Sequence, residues 1–281
     1  MIRSLIKRFG ITIGIGALIV PGLIAITAPA AQAATSYFNG FETSTNGWFD
    51  FGPGTGTIVR QPSGYNTVPA GGYADGVASA TGGFHARLQL ATGGGCNPGT
   101  ADCVGPFTRW GGYESVFPSG GYNTSVDIYL DTTFAATHAD YRFDWSSAIN
   151  DNTGSHLQDY VFNAGTVPTG FIIGTSTNAN RGSTFPANTC PDPSASPNTC
   201  RTPVTITSSG WYTFRHTFTD NGGFLDVEFQ IFDSTGTLVP GADWTIHTGN
   251  AMSGVGGHRY TVRCIDGHRR GALARDCTDD S

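Results

Sequence analysis

The chain has 281 residues, of which 40 are glycine and 15 are proline, while only 13% are charged and 12% are aromatic. The aromatic content excludes a disordered chain, and the lack of a three-residue glycine period excludes collagen. Gly, Thr, Ser and Asn outweigh the good helix formers. The composition therefore predicts a glycine-punctuated, all-β protein.

Residues 1–33 predict a secretory signal peptide. Basic residues precede an apolar run over 11–26, and the segment ends in Ala31-Gln32-Ala33, which fits a small-x-small cleavage site. The alternative is a retained membrane anchor, which the glycines and the proline within the run disfavour. We expect cleavage after Ala33 and a secreted, extracellular bacterial protein without a membrane span in its mature form.

Cleavage would change the charge balance of the protein. It removes Lys7, the only lysine, so the 12 remaining arginines face 21 acidic residues and the net charge moves from −6 to −9. This acidic balance disfavours nucleic acid and anionic membranes as partners.

The mature chain then alternates short strand patterns with turn signals. Apolar residues recur at every second position in 124–131 and 224–232, which indicates one face on a core and one facing water. Residues 220–223 predict a hairpin and 233–236 a turn, whereas no stretch beyond the leader has a helical period. The predicted strands are 57–60, 84–90, 124–131, 141–149, 157–163, 170–174, 211–219, 224–232 and 238–247.

Six cysteines fall into three pairs of sequence neighbours, an even number that suits an oxidising compartment. Neighbour pairing is the simplest of the possible connectivities, and it predicts disulfides that close loops. The alternative is a metal site, which the lack of a C-x-x-C spacing disfavours. The pairs are Cys96 with Cys103, Cys190 with Cys200, and Cys264 with Cys277.

Several short motifs resemble secreted bacterial domains of the concanavalin-like and carbohydrate-module-like type. The resemblance spans about residues 37–260 and implies an antiparallel, two-sheet jelly-roll β-sandwich. Such folds serve as glycan binders, glycoside hydrolases, polysaccharide lyases and structural modules, so the function stays open among these. The motifs are Phe38-Asn39-Gly40-Phe41-Glu42 with Gly47-Trp48, residues 109–113, residues 124–131, and Gly210-Trp211-Tyr212-Thr213-Phe214 with its hairpin.

We expect one domain over 34–260 and a divergent tail over 261–281. Five of the 12 mature arginines lie in the last 23 residues, and no aromatic residue follows Tyr260. One hypothesis is that a Cys264–Cys277 disulfide closes a divergent final hairpin. The other is that a reading-frame change replaced the last strand and left a sheet edge unpaired.

Glycan binding requires aromatic faces for stacking and polar groups that read hydroxyls. One glycine-flexed loop supplies both, although Trp110 could instead close one end of the core. Its residues are Arg109, Trp110, Tyr113 and Glu114. A polar strand face is the second candidate, and any soluble sandwich shows such a face. Its residues are Arg142, Asp144, His156, Gln158, Asp226 and Glu228.

An enzyme is the alternative to a binding module. The resemblance to laminarinase-like hydrolases implies two glutamates and an aspartate in an E-x-D-x-E strand. Asp226 and Glu228 match its second half, but Phe224 stands where the first glutamate is expected. His247 lies where jelly-roll lyases carry Gln-x-His, although Thr245 replaces the glutamine. Asp226, Glu228 and His247 are the catalytic candidates of this alternative.

Calcium is the metal that oxygen-rich loops would suit, in a structural role. The candidates are Asn150, Asp151 and Asn152, together with Glu42, because similar jelly rolls hold an ion near the first strand. No cofactor is required. We therefore expect a secreted jelly-roll module whose partner is a polysaccharide or glycoconjugate, with a glycan-active enzyme or a purely structural module as alternatives.

Overall fold

All the strand pairs that the computed structural model describes are antiparallel. The described residues are 37–49, 57–65, 76–89, 106–109, 113–137, 142–177 and 202–266. These residues form sheets of seven, four and two strands, and the two larger sheets enclose a shared apolar core. The predicted all-β class and antiparallel sandwich are confirmed, while the jelly-roll connectivity stays a prediction.

The two larger sheets have the strand orders β1-β4-β13-β6-β7-β8-β9 and β12-β11-β10-β5, and β2 and β3 form a separate hairpin. A short helix α1 (Thr132–Thr137) follows β5, and a 3-10 turn (Met252–Gly254) precedes β13. The strands are β1 (Trp48–Phe49), β2 (Thr57–Pro62), β3 (Phe84–Gln89), β4 (Phe107–Thr108), β5 (Tyr122–Leu130), β6 (Arg142–Asp151), β7 (His156–Val167), β8 (Gly170–Thr177), β9 (Val204–Ile206), β10 (Gly210–Asn221), β11 (Phe224–Asp233), β12 (Leu238–Ala251) and β13 (Val255–Asp266).

Each predicted strand lies on an observed one, and the predicted hairpin joins β10 to β11. Its two loop residues, Gly222 and Gly223, have φ values of 64° and 92°, which a two-residue hairpin of this hand requires. The short helix α1 was not predicted, since no stretch beyond the predicted leader has a helical period. Asp131 caps this helix because its carboxylate accepts the N–H groups of Thr133 and Phe134 at 2.9 and 3.2 Å.

Strand β13 was not predicted, although it lies inside the seven-stranded sheet between β4 and β6. It begins with the glycine-rich stretch after Val255 and continues past Tyr260 to Asp266, so it carries no simple apolar alternation. A side chain at Gly256 would overlap the carbonyl group of Asp151, which explains why glycine stands there.

Several sequence predictions lie outside the described residues. These are the leader, Trp110, and the cysteines at 96, 103, 190, 200 and 277. Cys264 lies on β13 opposite Asp144, and its disulfide stays a prediction. No helix of the described residues is long and apolar enough to cross a membrane.

The approach of β5 to its neighbour depends on one of two adjacent glycines. Gly120 and Gly121 have φ values of 86° and 80°, but only a Cβ at Gly121 would overlap the carbonyl oxygen of Phe218 on β10. Gly120 has nothing within 4 Å of that position.

We therefore expect Gly121→Ala to lower the free energy of unfolding by at least about 2 kcal/mol more than Gly120→Ala. Both variants place alanine in a left-handed conformation, but only Gly121→Ala adds an overlap with β10. Denaturant unfolding of the two variants measures the difference. Equal losses would show that β5 can move away from β10 at no cost.

Candidate functional site

A cavity of about 270 Å³ lies beside the outer strand β5, where the segment 37–41 and the β2–β3 hairpin cover the edge of the sandwich. We call it the edge cavity. It reaches inward as far as Trp145 of β6. Its aromatic lining residues are Tyr37, Phe38, Phe41, Trp48, Phe84, Trp145 and Trp211, and its polar ones include Asn39, His85, Thr108, Asn123, Thr124, Ser125 and Asp127.

Arg60 fastens the outer wall of the edge cavity. Its Nε donates to the carbonyl oxygen of Phe41 at 2.7 Å, and a second guanidinium nitrogen donates to the carbonyl oxygen of Glu42. The guanidinium carbon lies 3.1 Å from the centre of the Phe84 ring. Because these contacts use both the edge and the face of the guanidinium group, Arg60 holds the 37–42 segment against β3.

Glu42 provides a second fastening. Its carboxylate accepts the backbone N–H groups of Gly83 at 3.0 Å and Phe84 at 3.2 Å. Gly82, with φ of 64°, leaves no room for a side chain beside this carboxylate. The residue expected to hold an ion near the first strand therefore acts as a clamp on the β2–β3 hairpin.

Trp211 of β10 forms the opposite wall. Its Nε1 donates to the carbonyl oxygen of Ala78 at 2.7 Å, and its ring meets Tyr129 and His85 edge to face at 5.5 and 6.1 Å. His85 Nδ1 in turn lies 3.1 Å from Ser79 Oγ. These contacts join the stretch before β3 to the four-stranded sheet.

The polar side of the edge cavity comes from β5. Asn123, Ser125 and Asp127 alternate on its outer face and are exposed. Thr213 Oγ1 donates to Asp127 Oδ1 at 2.6 Å, which orients the carboxylate. Hydrogen-bonding groups therefore stand beside the aromatic walls.

A buried polar cluster lies at the inner end of the cavity. Thr124 Oγ1 and Ser147 Oγ are 2.7 Å apart, and His216 Nδ1 lies 3.0 Å from Ser147 Oγ and 3.4 Å from Thr124 Oγ1. The His216 ring is fully buried and stacks on Trp145 at 4.5 Å. Burial holds the pKa of His216 well below its ordinary value, so the ring is neutral at physiological pH.

The predicted loop is brought together in part. Arg109 Nη1 donates to Tyr113 Oη at 3.0 Å, and the guanidinium of Arg259 lies 4.1 Å from the Tyr113 ring centre. Glu114 instead pairs through its backbone with Gly257 and His258, and burial raises its pKa. The described residues of this loop do not line the edge cavity.

The expected outward polar face on β6 and β7 is wrong. Asp144 is only 7% exposed and accepts from Asn163 Nδ2 at 2.9 Å. Gln158 points toward the other large sheet, where its Oε1 accepts from Asn250 Nδ2 of β12 at 3.3 Å. His156 is half-buried, with Nε2 3.3 Å from Asp159 Oδ2. Arg142 begins β6, and its side chain is outside the described residues.

The catalytic candidates do share the outer face of the four-stranded sheet. His247 Nδ1 lies 2.8 Å from Asp226 Oδ2, which also accepts from Asn221 Nδ2 at 2.7 Å. The His247 side chain is 57% exposed and that of Asp226 only 11%. Burial raises the pKa of Glu228, and the neighbouring Asp243 carboxylate raises it further. None of these residues lines the edge cavity.

The oxygen-rich loop between β6 and β7 is a hydrogen-bonded turn. Asp151 Oδ1 accepts from the N–H and hydroxyl groups of Thr153 at 2.8 and 2.6 Å and from the N–H of Ser155 at 2.9 Å, and these bonds lower the pKa of Asp151. Asp233 makes the same three contacts in the β11–β12 turn. The shared sequence Asp-x-Thr-Gly-Ser/Thr is the signal that predicts both turns.

The neighbouring asparagines point elsewhere. Asn150 is buried and donates to the carbonyl oxygen of Glu114 at 2.9 Å, whereas Asn152 donates to that of Ser253 at 2.7 Å. Within the described ranges, no three His, Cys, Asp or Glu side chains are grouped so that they could hold an ion. The calcium site stays a prediction.

The edge cavity was not predicted, although three motifs singled out for resemblance, those with Phe38, residues 124–131 and Trp211, contribute its walls. Comparison with known proteins adds no assignment: no protein-family model, curated protein or solved structure matches this chain. The geometry of the described residues is therefore the evidence on which a function can be argued.

The buried histidines predict a loss of stability in acid. Burial lowers the pKa of His258 from its ordinary 6.5 to about 4, so the unfolded chain binds a proton that the folded chain does not between these values. The contribution of His258 to the free energy of unfolding is therefore fully present above about pH 6.5. It decreases by up to about 3 kcal/mol as the pH falls to about 4. His216 acts in the same direction.

Urea unfolding of the wild type and His258→Gln at several values between pH 7.5 and 4.5 measures this contribution. We expect a shallower decline in the variant. Parallel curves would mean that His258 is not the source, because the carboxyl groups that titrate in acid are common to both proteins.

Proposed function

We propose that the protein binds a glycan in the edge cavity. The observation that carries this proposal is the meeting of aromatic rings with a row of hydrogen-bonding groups in one cavity at the sheet edge. Sugar rings present C–H faces that stack on aromatic side chains and hydroxyl groups that require directed polar partners. The edge cavity offers both.

The fastening of the walls also supports binding. The contacts of Arg60, Glu42 and Trp211 fix the positions of the cavity walls through the protein's own residues, and a site that is already formed loses little conformational freedom when it binds. Phe38 remains 87% exposed beside these walls, where a large apolar ring is costly unless it has a partner.

The wider proposal is a secreted jelly-roll module whose partner is a polysaccharide or glycoconjugate. The signal-peptide pattern, the paired cysteines and the lysine-free, acidic mature sequence support it. Structural calcium remains part of this proposal only through the oxygen-rich sequence around Asp151 and, for Glu42, through the resemblance to jelly rolls that hold an ion near the first strand.

A second candidate function is a glycan-active enzyme on the outer face of the four-stranded sheet. The contact between Asp226 and His247 favours it, because a carboxylate on Nδ1 orients an imidazole whose other nitrogen can exchange protons with a substrate. Phe224, where a hydrolase would need its first glutamate, is an exposed ring at the hairpin.

If the enzyme hypothesis holds, incubation with a polysaccharide panel releases reducing ends or unsaturated uronic acids, and His247→Gln lowers the rate by about 100-fold, as loss of a general acid–base group does. Product formation that His247→Gln leaves unchanged would remove this pair from the mechanism. No product with any polysaccharide would reject the enzyme hypothesis and leave a binding or a purely structural module.

The glycan-binding proposal predicts different effects for two exposed phenylalanines. Phe38 lines the edge cavity, whereas Phe224 lies at the β10–β11 hairpin and is 51% exposed. We expect Phe38→Ala to weaken glycan binding about 3- to 10-fold through lost stacking, and Phe224→Ala to leave it unchanged.

A glycan array identifies the ligand, and calorimetry with that glycan measures both variants. Since both rings are exposed, unfolding midpoints close to that of the wild type should accompany the binding data. Retention of no glycan on the array, or equal effects of the two substitutions, would reject the edge cavity as the binding site.

A further inference from the structure

We infer that the edge cavity accepts an uncharged, terminal sugar residue and discriminates against uronic acids and sulfated sugars. This inference rests on the proposed function and adds the class of ligand to it. Two observations carry it: the charge of the lining and the size of the cavity.

The lining carries negative charge. Among the described lining residues, Asp127 is the only acidic side chain, and neither arginine nor lysine is present. The mature chain has no lysine at all, because Lys7 lies in the predicted leader. An acidic sugar would therefore place its carboxylate or sulfate beside Asp127, with no arginine or lysine among the described lining residues to pair it.

Three arginines near the edge cavity are engaged by other groups. Arg60 lies behind the wall, where it donates to the carbonyl oxygens of Phe41 and Glu42. Arg215, on the same outer sheet face as Asp127, donates to Gln230 and lies 4.4 Å from the Phe232 ring centre. Arg109 is bonded to Tyr113 outside the cavity. None of the three presents the open fork that recognises a carboxylate or sulfate with two parallel hydrogen bonds.

Asp127 suits neutral hydroxyl groups instead. An ionised carboxylate only accepts hydrogen bonds, and its Oδ1 is already oriented by Thr213. Oδ2 can then accept from a sugar hydroxyl, while Asn123 and Ser125 on the same strand face offer both donors and acceptors. The same carboxylate that attracts hydroxyl donors repels a bound anion, which provides discrimination as well as affinity.

The size of the cavity points to the end of a glycan chain. A volume of about 270 Å³ is just below the range of about 300–1,000 Å³ of sites for drug-sized ligands. Trp145 and Thr124, which are 1% and 3% exposed, belong to the core and close the inner end. Because the inner end is closed, we expect one terminal residue to enter and the rest of the glycan chain to stay outside.

The test uses the intact mature protein and calorimetry. The probes are neutral gluco-, galacto-, manno- and xylo-configured disaccharides, together with glucuronic acid, digalacturonic acid and galactose 6-sulfate. We expect the tightest neutral disaccharide to bind at least about 10-fold more strongly than any acidic probe, which is the scale of one unmade charge-assisted hydrogen bond. The hexasaccharide built from the same sugar should bind with an affinity within about threefold of that of the disaccharide.

Asp127→Asn supplies the matched substitution, with Asp220→Asn as its control. Asp220 is exposed at the β10–β11 hairpin, where Oδ1 accepts from the N–H of Gly223, a bond that asparagine retains. We expect Asp127→Asn to weaken binding of the neutral sugars about 10-fold and to reduce the difference in affinity between neutral and acidic probes. Asp220→Asn should change neither quantity. The wild-type comparison of neutral with acidic probes needs no variant to fold.

The outcomes separate the two levels of the proposal. If an acidic probe binds as tightly as the neutral ones and Phe38→Ala weakens it, the cavity binds glycans and the inferred class is wrong. An affinity that rises more than about 10-fold from disaccharide to hexasaccharide would overturn terminal recognition. If no sugar of either class binds, the proposed function fails and this inference fails with it.

Discussion

The two large sheets are packed together through a cluster of aromatic rings with a neutral imidazole at its centre. His216 of β10 lies 4.5 Å from Trp145 of β6, 4.8 Å from Phe162 of β7 and 4.6 Å from Phe229 of β11. Because the ring is neutral, it packs as an aromatic side chain, and the hydroxyl groups of Ser147 and Thr124 satisfy Nδ1. A charged histidine there would have no acidic partner within this group.

The edge cavity depends on that aromatic cluster. Trp145 stacks on His216 in the core and also lines the cavity. Thr124 belongs both to the buried polar cluster and to the cavity lining. The inner end of the cavity is therefore part of the rigid core, since interiors of this density tolerate little displacement. Its outer walls are fastened separately, through Arg60, Glu42 and the indole of Trp211.

Four acidic side chains of the described residues organise the backbone. Asp131 caps a helix, Asp151 and Asp233 shape equivalent turns, and Glu42 clamps a hairpin. Each of them satisfies several N–H groups that would otherwise lack a partner where the chain changes direction. Such residues resemble metal ligands in a sequence because turns and hard cations require the same oxygen atoms. Asp127 differs, since it accepts one side-chain hydrogen bond and stands beside aromatic rings.

Strands β5 and β11 were predictable, because period-two alternation reports local burial of one face, and β5 supplies the polar side of the edge cavity. The β10–β11 hairpin was predictable as well, because two adjacent glycines permit its backbone. Strand β13 and helix α1 escaped prediction: the first is central but rich in glycine and charge, and the second is too short to show a period.

The sequence by itself determined the class of fold, the faces of the alternating strands and the turns, all of which depend on residues close together in the chain. Only the tertiary structure decided that Asp144 on β6 is buried and which residues form the cavity. Asp144 is buried although alternation places it on a polar face, and Trp211 meets Ala78 across 133 positions of the chain. A sequence pattern records whether a residue prefers burial, whereas neighbours in space are chosen by long-range pairing and packing.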